Sequence, residues 1–470
     1  MITTLPPRTS SAASLILPAQ LVFNLGFYAV VPFLALVMTE DLGLGAAAVG
    51  LVLGARTASQ QGMFLLGGVL ADHWGPRRSI VTGCFLRAAG YLGLAASDSF
   101  WPFLLSAVVT GIGGAFFSPA VDAIVGTLDR ARSGGAGARR SLFAWLVLFG
   151  EVGAVAGPLL GLALLPLGFP LVATAGACLF LAVGAALRFA LPAGAWTDDG
   201  EGASRAPNGT ERPGISEHGA TRPETTQPGM VDPDPAGGTA TPGRWACLAD
   251  RRFVLFCTFF SVNLLAYNQL YFALPLELDG AGSEAGGGTG ALALMFVLAS
   301  TLTITLQLPA SALAVRLGPG TALRAGFGCM ALGFAAIALL GPSGALPGSS
   351  TPLLEPVRHA LAAPDAALTG PVILVVLLGL GHMLAGPAGL QQVHAFAGDR
   401  PLGAYYGLLA SAGGFAVLLG NGVIGAISDV LGRTAAWTVP ALLATAAAVA
   451  LPHLLPVPRP KESPCPVPQP

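Results

Sequence analysis

Twelve apolar stretches, most of them 20 residues or longer, leave this chain few folds to choose from. They lie at approximately 13–37, 46–70, 79–97, 101–127, 141–165, 168–190, 252–276, 290–315, 321–341, 369–390, 403–427 and 434–456. A helix of about 20 apolar residues crosses the hydrocarbon of a bilayer. The expected fold is therefore an all-α membrane protein with twelve transmembrane helices. Composition points the same way: only 10% of residues are charged and 53% are hydrophobic, against about 25% charged in soluble domains. The first stretch, preceded by the single Arg8, is too long for the apolar core of a signal peptide and reads as the first membrane helix.

Charges outside these stretches set an expected orientation. With both ends inside, the inner loops hold Arg77, Arg78, Arg130, Arg132, Arg139, Arg140, Arg251, Arg252, Arg316 and Arg400. The outer loops hold Glu40, Asp41, Asp98, Glu277, Asp279 and Glu284, with Arg358 and Arg433 as basic exceptions. Arginine concentrates on cytoplasmic loops, so both termini are expected in the cytoplasm. Segment 191–250 is rich in Pro, Gly, Thr and acidic residues without apolar periodicity. It buries too little apolar surface to offset its ordering entropy and reads as a disordered cytoplasmic linker. The expected units are thus 1–190, a six-helix bundle; 191–250, the linker; 251–456, a second bundle; and 457–470, a cytoplasmic tail. The outer loop 342–368, rich in Pro and Gly, reads as a flexible excursion.

The two halves resemble each other. Gly111-Ile-Gly113, followed by Pro119-Ala120, matches Gly379-Leu-Gly381, followed by Pro387-Ala388, in the same spacing. Gly75-Pro76 matches Gly318-Pro319, with Gly83 falling against Gly326. Internal repeats of this kind are a sequence mark of secondary transporters.

The loop from Gly67 to Arg78 reads Gly-x-Leu-Ala-Asp-x-x-Gly-x-Arg-Arg over Gly68, Asp72, Gly75, Arg77 and Arg78. It resembles the loop 2–3 signature of the major facilitator superfamily. That resemblance implies two pseudo-symmetric six-helix bundles, and a loop that latches the halves at the cytoplasmic side, with Asp122 near the inner end of helix 4 as its partner. His73 and Pro76 stand where the family usually has basic residues, which implies a latch that is weaker or re-routed through Arg77. On helix 5, Gly153, Gly157, Pro158 and Gly161 set small residues on one face. The spacing resembles the helix 5 motif of the superfamily's drug–proton antiporters, and the expectation is that this face presses on the other half to close a leak path. Generic small-residue packing is the alternative.

Ionisable groups within the spans come next. A charge at bilayer depth costs about 2.5–3.5 kcal/mol on insertion scales and persists when paired, hydrated or functional. Glu151, near the middle of helix 5, is the candidate proton carrier. Arg56 is expected to pair with it or to bind an anionic group of a substrate, while Arg87 reads as structural. Asn24, Phe27 and Tyr28 on helix 1, Asn263, Tyr267, Asn268, Gln269 and Tyr271 on helix 7, and His382 on helix 10 are candidates for lining a central cavity, or for gluing helices together.

The run Gly50 to Gly62, with Gly67 to Asp72, Ile80 to Gly90 and Gly111 to Gly114, resembles the MdtH-type multidrug-efflux branch. It implies a proton-coupled exporter of small amphipathic molecules, monomeric, in a bacterial inner membrane. Its partners would be a small-molecule substrate, protons and the lipid bilayer. A metabolite importer or facilitator is the alternative, and a membrane enzyme or non-transporting sensor a more distant one. No enzymatic cluster and no Gly-x-x-x-x-Gly-Lys phosphate loop occurs. The scattered cysteines (Cys84, Cys178, Cys247, Cys257, Cys329 and Cys465) form no metal-binding spacing. No cofactor is expected, and the net charge of −1 offers nothing to nucleic acid.

Overall fold

The computed structural model describes residues 7–64, 74–133, 142–190, 246–279, 287–340, 368–398 and 402–456. Gly68 and Asp72, the side chain of Asp122, the loop at 342–367, the tail and all but the last residues of the linker lie outside the described residues.

The described chain is helical throughout. In order, α1 is Leu15–Glu40, α2 Ala46–Gly62, α3 Pro76–Ala95, α4 Phe100–Ser133, α5 Leu142–Leu164, α6 Phe169–Ala190, α7 Arg251–Asp279, α8 Gly287–Leu317, α9 Pro319–Leu340, α10 Thr369–Ala397, α11 Leu402–Leu431 and α12 Arg433–Leu454. Ten of them are long and apolar enough to cross a membrane. The other two are α2, whose described part has 17 residues, and α3, which carries Arg77, Arg78 and Arg87. Large apolar side chains such as Leu308, Leu419 and Leu442 stay exposed, as lipid-facing positions do.

Two helices are broken, and they occupy matching places in the two halves. Pro32 sits in a single turn of tighter helix at Val31–Phe33, inside α1. In α7 the chain turns at Ser261 and again between Asn268 and Ala273. The last residues assigned to the linker depart from expectation: Ala246–Ala249 form a helical turn with Cys247 buried. Asp250 then caps α7, its carboxylate accepting from Phe253 N–H at 3.1 Å. An N-cap and one buried apolar side chain are enough to order this end of the segment.

Packing within each half follows one scheme. In the first, α1 lies on α5, and α3 on both α4 and α6; in the second, α7 lies on α11, and α9 on both α10 and α12. The repeat extends to single atoms. A Cβ at Gly83 would lie 2.7 Å from the Gly113 carbonyl oxygen, and a Cβ at Gly326 2.8 Å from that of Gly381. These are the glycines that the internal repeat aligns. Gly75 and Gly318 open α3 and α9 with φ of +82° and +76°; Gly168 and Gly432 open α6 and α12 with +101° and +89°. Only glycine adopts such dihedrals without strain, so the hairpins of the two halves turn on equivalent residues.

The halves meet along two seams, α2 with α11 and α5 with α8. Glycines bring the first seam to backbone contact: a Cβ at Gly54 would lie 2.7 Å from Leu418 Cα, and one at Gly50 would run into the Asn421 carbonyl.

Candidate functional site

Polar and aromatic side chains from both halves gather where the two seams cross the middle of the bundle. On the α5–α8 seam, Glu151 of the first half lies beside Ser300 on α8, and Ser300 itself is buried. A carboxylate at this depth needs a donor, because an unsatisfied one is costly in hydrocarbon. The expectation that Arg56 pairs with Glu151 is not met. Arg56 bonds Thr57 Oγ1 at 3.3 Å and Gln60 Oε1 at 3.5 Å, with its guanidinium 5.4 Å from the Phe27 ring centre.

Beside Glu151 lies an aromatic group built across the halves. Tyr28 of α1 lies beside Tyr271 of α7, their ring centres 6.4 Å apart. Phe296 of α8 lies 5.1 Å from Tyr271 and 6.4 Å from Tyr28, centre to centre. Phe27 contacts both tyrosines, and Tyr267 lies within 6.4 Å of Tyr271. Further into the second half, the Tyr267 ring stacks on His382 at 4.5 Å, and His382 Nδ1 lies 3.2 Å from Asn263 Oδ1. An amide oxygen only accepts, so Nδ1 carries the proton there.

On the α2–α11 seam a chain of amides joins the halves. Asn268 Nδ2 donates to Thr57 Oγ1 at 3.3 Å, Asn421 Nδ2 to Asn268 Oδ1 at 2.8 Å, and Gln269 Nε2 to Asn421 Oδ1 at 2.9 Å. Thr57, Asn268, Gln269 and Asn421 are all buried. Asn421, Thr57 and Ser300 were missed in the sequence. Their only signal is a polar side chain within an apolar span, which serine and threonine give too often to be selective.

Other candidates are placed elsewhere. Asn24 donates to the Gly150 carbonyl at 2.9 Å, locking α1 to α5 inside the first half; it acts as interhelical glue. Arg87 is buried with its guanidinium 4.5 Å from the Phe23 ring centre and flanked by Phe27 and Phe180, a structural cation–π contact. Glu277 belongs to no outer loop: it is 1% exposed, and Trp437 Nε1 donates to its Oε2 at 3.1 Å.

The small-residue face of α5 is a correction. It was expected to press on the other half, yet it packs on α1 of its own half. A Cβ at Gly153 would lie 2.9 Å from Asn24 Cβ, one at Gly157 2.5 Å from Tyr28 Cβ, and one at Gly161 would run into the Ala29 carbonyl. Pro158 sits within this helix without ending it. The side of α5 that reaches α8 is the one bearing Glu151.

At the end assigned to the cytoplasm, Gly75 sets the turn into α3, and Arg77 donates through Nη2 to the Arg188 carbonyl in the last turn of α6. A cation there complements the helix dipole. Arg78 is exposed. At the opposite end, the side chains of Glu40 on α1 and Asp279 on α7 lie next to each other. Asp429 on α11 accepts from the N–H groups of Ala46 and Ala47 on α2. Among the described residues, no three His, Cys, Asp or Glu side chains gather to hold a metal ion.

Comparison with known proteins agrees with this architecture. The sequence profile of a family described as Major Facilitator Superfamily matches residues 16–354. An uncharacterized MFS-type transporter of Mycobacterium tuberculosis (strain ATCC 25618 / H37Rv) is 41% identical over 174 residues, 37% of this chain and 40% of that protein. Multidrug resistance protein MdtH of Klebsiella pneumoniae (strain 342) is 37% identical over 190 residues, 40% of this chain and 46% of that protein. The chain thus matches less than half the length of these relatives. Among solved structures, nucleoside transporter NupG superposes with a TM-score of 0.66 at 16% identity, covering 96% of this chain and 99% of that one. The POT family transporter PepTSo gives 0.65 at 14% identity, covering 96% and 98%. At these identities the structural likeness concerns the fold alone.

Proposed function

The chain belongs to the Major Facilitator Superfamily, and on that premise we propose that it is a secondary active transporter exporting a small amphipathic organic compound by proton antiport. The carrying observation is Glu151, an intramembrane carboxylate on the α5–α8 seam, beside Ser300 of the other half. Such a group is expensive unless it functions, and here its partner belongs to the element that must move. MdtH, a relative of part of this chain, is named a multidrug resistance protein, which supports the export direction and the drug-like substrate class.

In this reading the halves rock about the two seams, exposing the central cluster to one side of the membrane at a time. Proton uptake at Glu151 from outside and release inside biases the rocking. Tyr28, Tyr267 and His382 offer flat surfaces to an amphipathic molecule; Arg56, Asn263 and Asn268 offer polar contacts around them. The loop residues Gly68, Asp72, Gly75, Arg77 and Arg78, with Asp122 on α4, close the cytoplasmic side. The protein works as a monomer in a bacterial inner membrane with both ends in the cytoplasm, its bundles 1–190 and 251–456 joined by the linker 191–250.

The helix 5 glycines, whose spacing argued for an antiporter, contact α1 rather than the other half, so they carry no argument about direction.

The deciding experiment is efflux of a fluorescent amphipathic dye from cells carrying the protein, with and without a proton uncoupler, beside Glu151→Gln. Uncoupler-sensitive efflux that vanishes in Glu151→Gln at equal expression upholds exporter and proton carrier together. Efflux that persists in Glu151→Gln removes the proton assignment. Dye accumulation in place of efflux would turn the reading to import.

A further inference from the structure

We propose that the carboxylate of Asp429, at the end of α11, is a trans-acting helix cap on α2 that latches the two halves at the face opposite Arg77. The inference rests on the alternating-access reading above.

The start of α2 has no cap of its own. Gly45 occupies the N-cap position without a side chain, and Ala46, Ala47, Ala48 and Val49 follow. A helix start leaves its first N–H groups without partners, and Ser, Thr, Asp or Asn normally supplies one. Here that supply comes from the other half, 383 residues away in sequence: Ala46 N–H donates to Asp429 Oδ1 at 2.8 Å, and Ala47 N–H to Oδ2 at 2.9 Å. Both oxygens are used, and a negative group stands at the positive end of the helix dipole.

The surroundings are shaped for this contact. A Cβ at Gly45 would lie 3.1 Å from Asp429 Oδ2, so a larger residue would crowd the carboxylate. One turn earlier on α11, a Cβ at Gly425 would lie 2.7 Å from Ala47 Cα, so the two backbones touch beside the latch. Opening the bundle at this face must part α2 from α11. It then exposes an uncapped helix start, a cost absent while the face is closed. The latch therefore favours the state closed at this end.

The test is amide hydrogen exchange on the full-length protein in lipid nanodiscs, comparing wild type, Asp429→Ala, Asp429→Asn and Gly425→Val. Asp429 is exposed, so its variants fold; Gly425→Val is a steric wedge between α2 and α11 that does not touch the carboxylate. The expected result for Asp429→Ala is faster exchange in peptides spanning 42–53, 34–41 and 272–279. It is accompanied by slower exchange at the opposite end, in 74–82 and 313–322, each by about fivefold, the equivalent of about 1 kcal/mol for a cap. Asp429→Asn, which keeps an acceptor but loses the charge, falls between. Faster exchange confined to 46–49 in Asp429→Ala, while Gly425→Val moves the two ends in opposite senses, overturns the latch and leaves alternating access standing. If neither variant alters the opposite end, the alternating-access premise fails and the latch with it.

Discussion

Glu151 and Ser300 meet across the seam between the two halves, the carboxylate on α5 beside the hydroxyl on α8. A contact of this kind couples the protonation of one half to the position of the other. Glu151→Gln is expected to reduce uncoupler-sensitive efflux at least tenfold without loss of expression. Ser300→Ala keeps the carboxylate but removes the hydroxyl beside it across the seam, and is expected to slow efflux severalfold. Initial rates in inside-out vesicles, normalised to protein content, check both.

Asn421 stands between Asn268 and Gln269, donating to one and accepting from the other. Asn421→Leu leaves both partners without it in a buried site, which costs about 1–3 kcal/mol. A fall of several degrees in the melting temperature of the purified protein is expected. In the double variant with Asn268→Leu the loss should be smaller than the sum of the two single losses, because the variants share one bond. Strictly additive losses would mean that the amide chain does not act as a unit.

Asn24 bonds the Gly150 carbonyl in its own half. Asn24→Ala is expected to lower thermal stability by about 0.6 kcal/mol, the average for a hydrogen bond between membrane helices, with the substrate concentration for half-maximal rate unchanged. His382→Ala and Tyr267→Ala, by contrast, should raise that concentration. A transport assay across a substrate series separates the two behaviours.

Gly83 and Gly326 hold equivalent close approaches in the two halves, to Gly113 and Gly381. Valine at either position forces two backbones apart, and overpacking costs about 1–3 kcal/mol. Gly83→Val and Gly326→Val should therefore reduce the folded yield to a similar degree, as read by size-exclusion chromatography in detergent. Gly328→Val, with open space around it, serves as the tolerant control.

Much of the fold was legible because its causes are local. A stretch of apolar residues long enough to cross a bilayer has to satisfy its own backbone, and a helix does so. The doubled Gly-Pro turns at Gly75 and Gly318, and the paired glycines of α3–α4 and α9–α10, were visible as spacing because a close approach or a left-handed turn tolerates little else. Glu151 stood out for the same kind of reason: a carboxylate deep in an apolar span is conspicuous by its cost.

What covers each face was not local, and there the sequence misled or was silent. The α5 glycines mark a small-residue face, but spacing says only that the face exists; the structure set it against α1. Arg56 had a plausible partner in Glu151 and found Thr57 and Gln60 instead. Asn421, far along the chain from Thr57, entered the site only through the packing of α7 between them. The sequence by itself determined an all-helical, duplicated membrane protein, because hydrocarbon constrains every span alone. Only the tertiary structure decided which groups meet across the seams, Asp429 on the bare start of α2 among them. Those pairings depend on how two bundles sit against each other, and nothing near either residue in the chain records it.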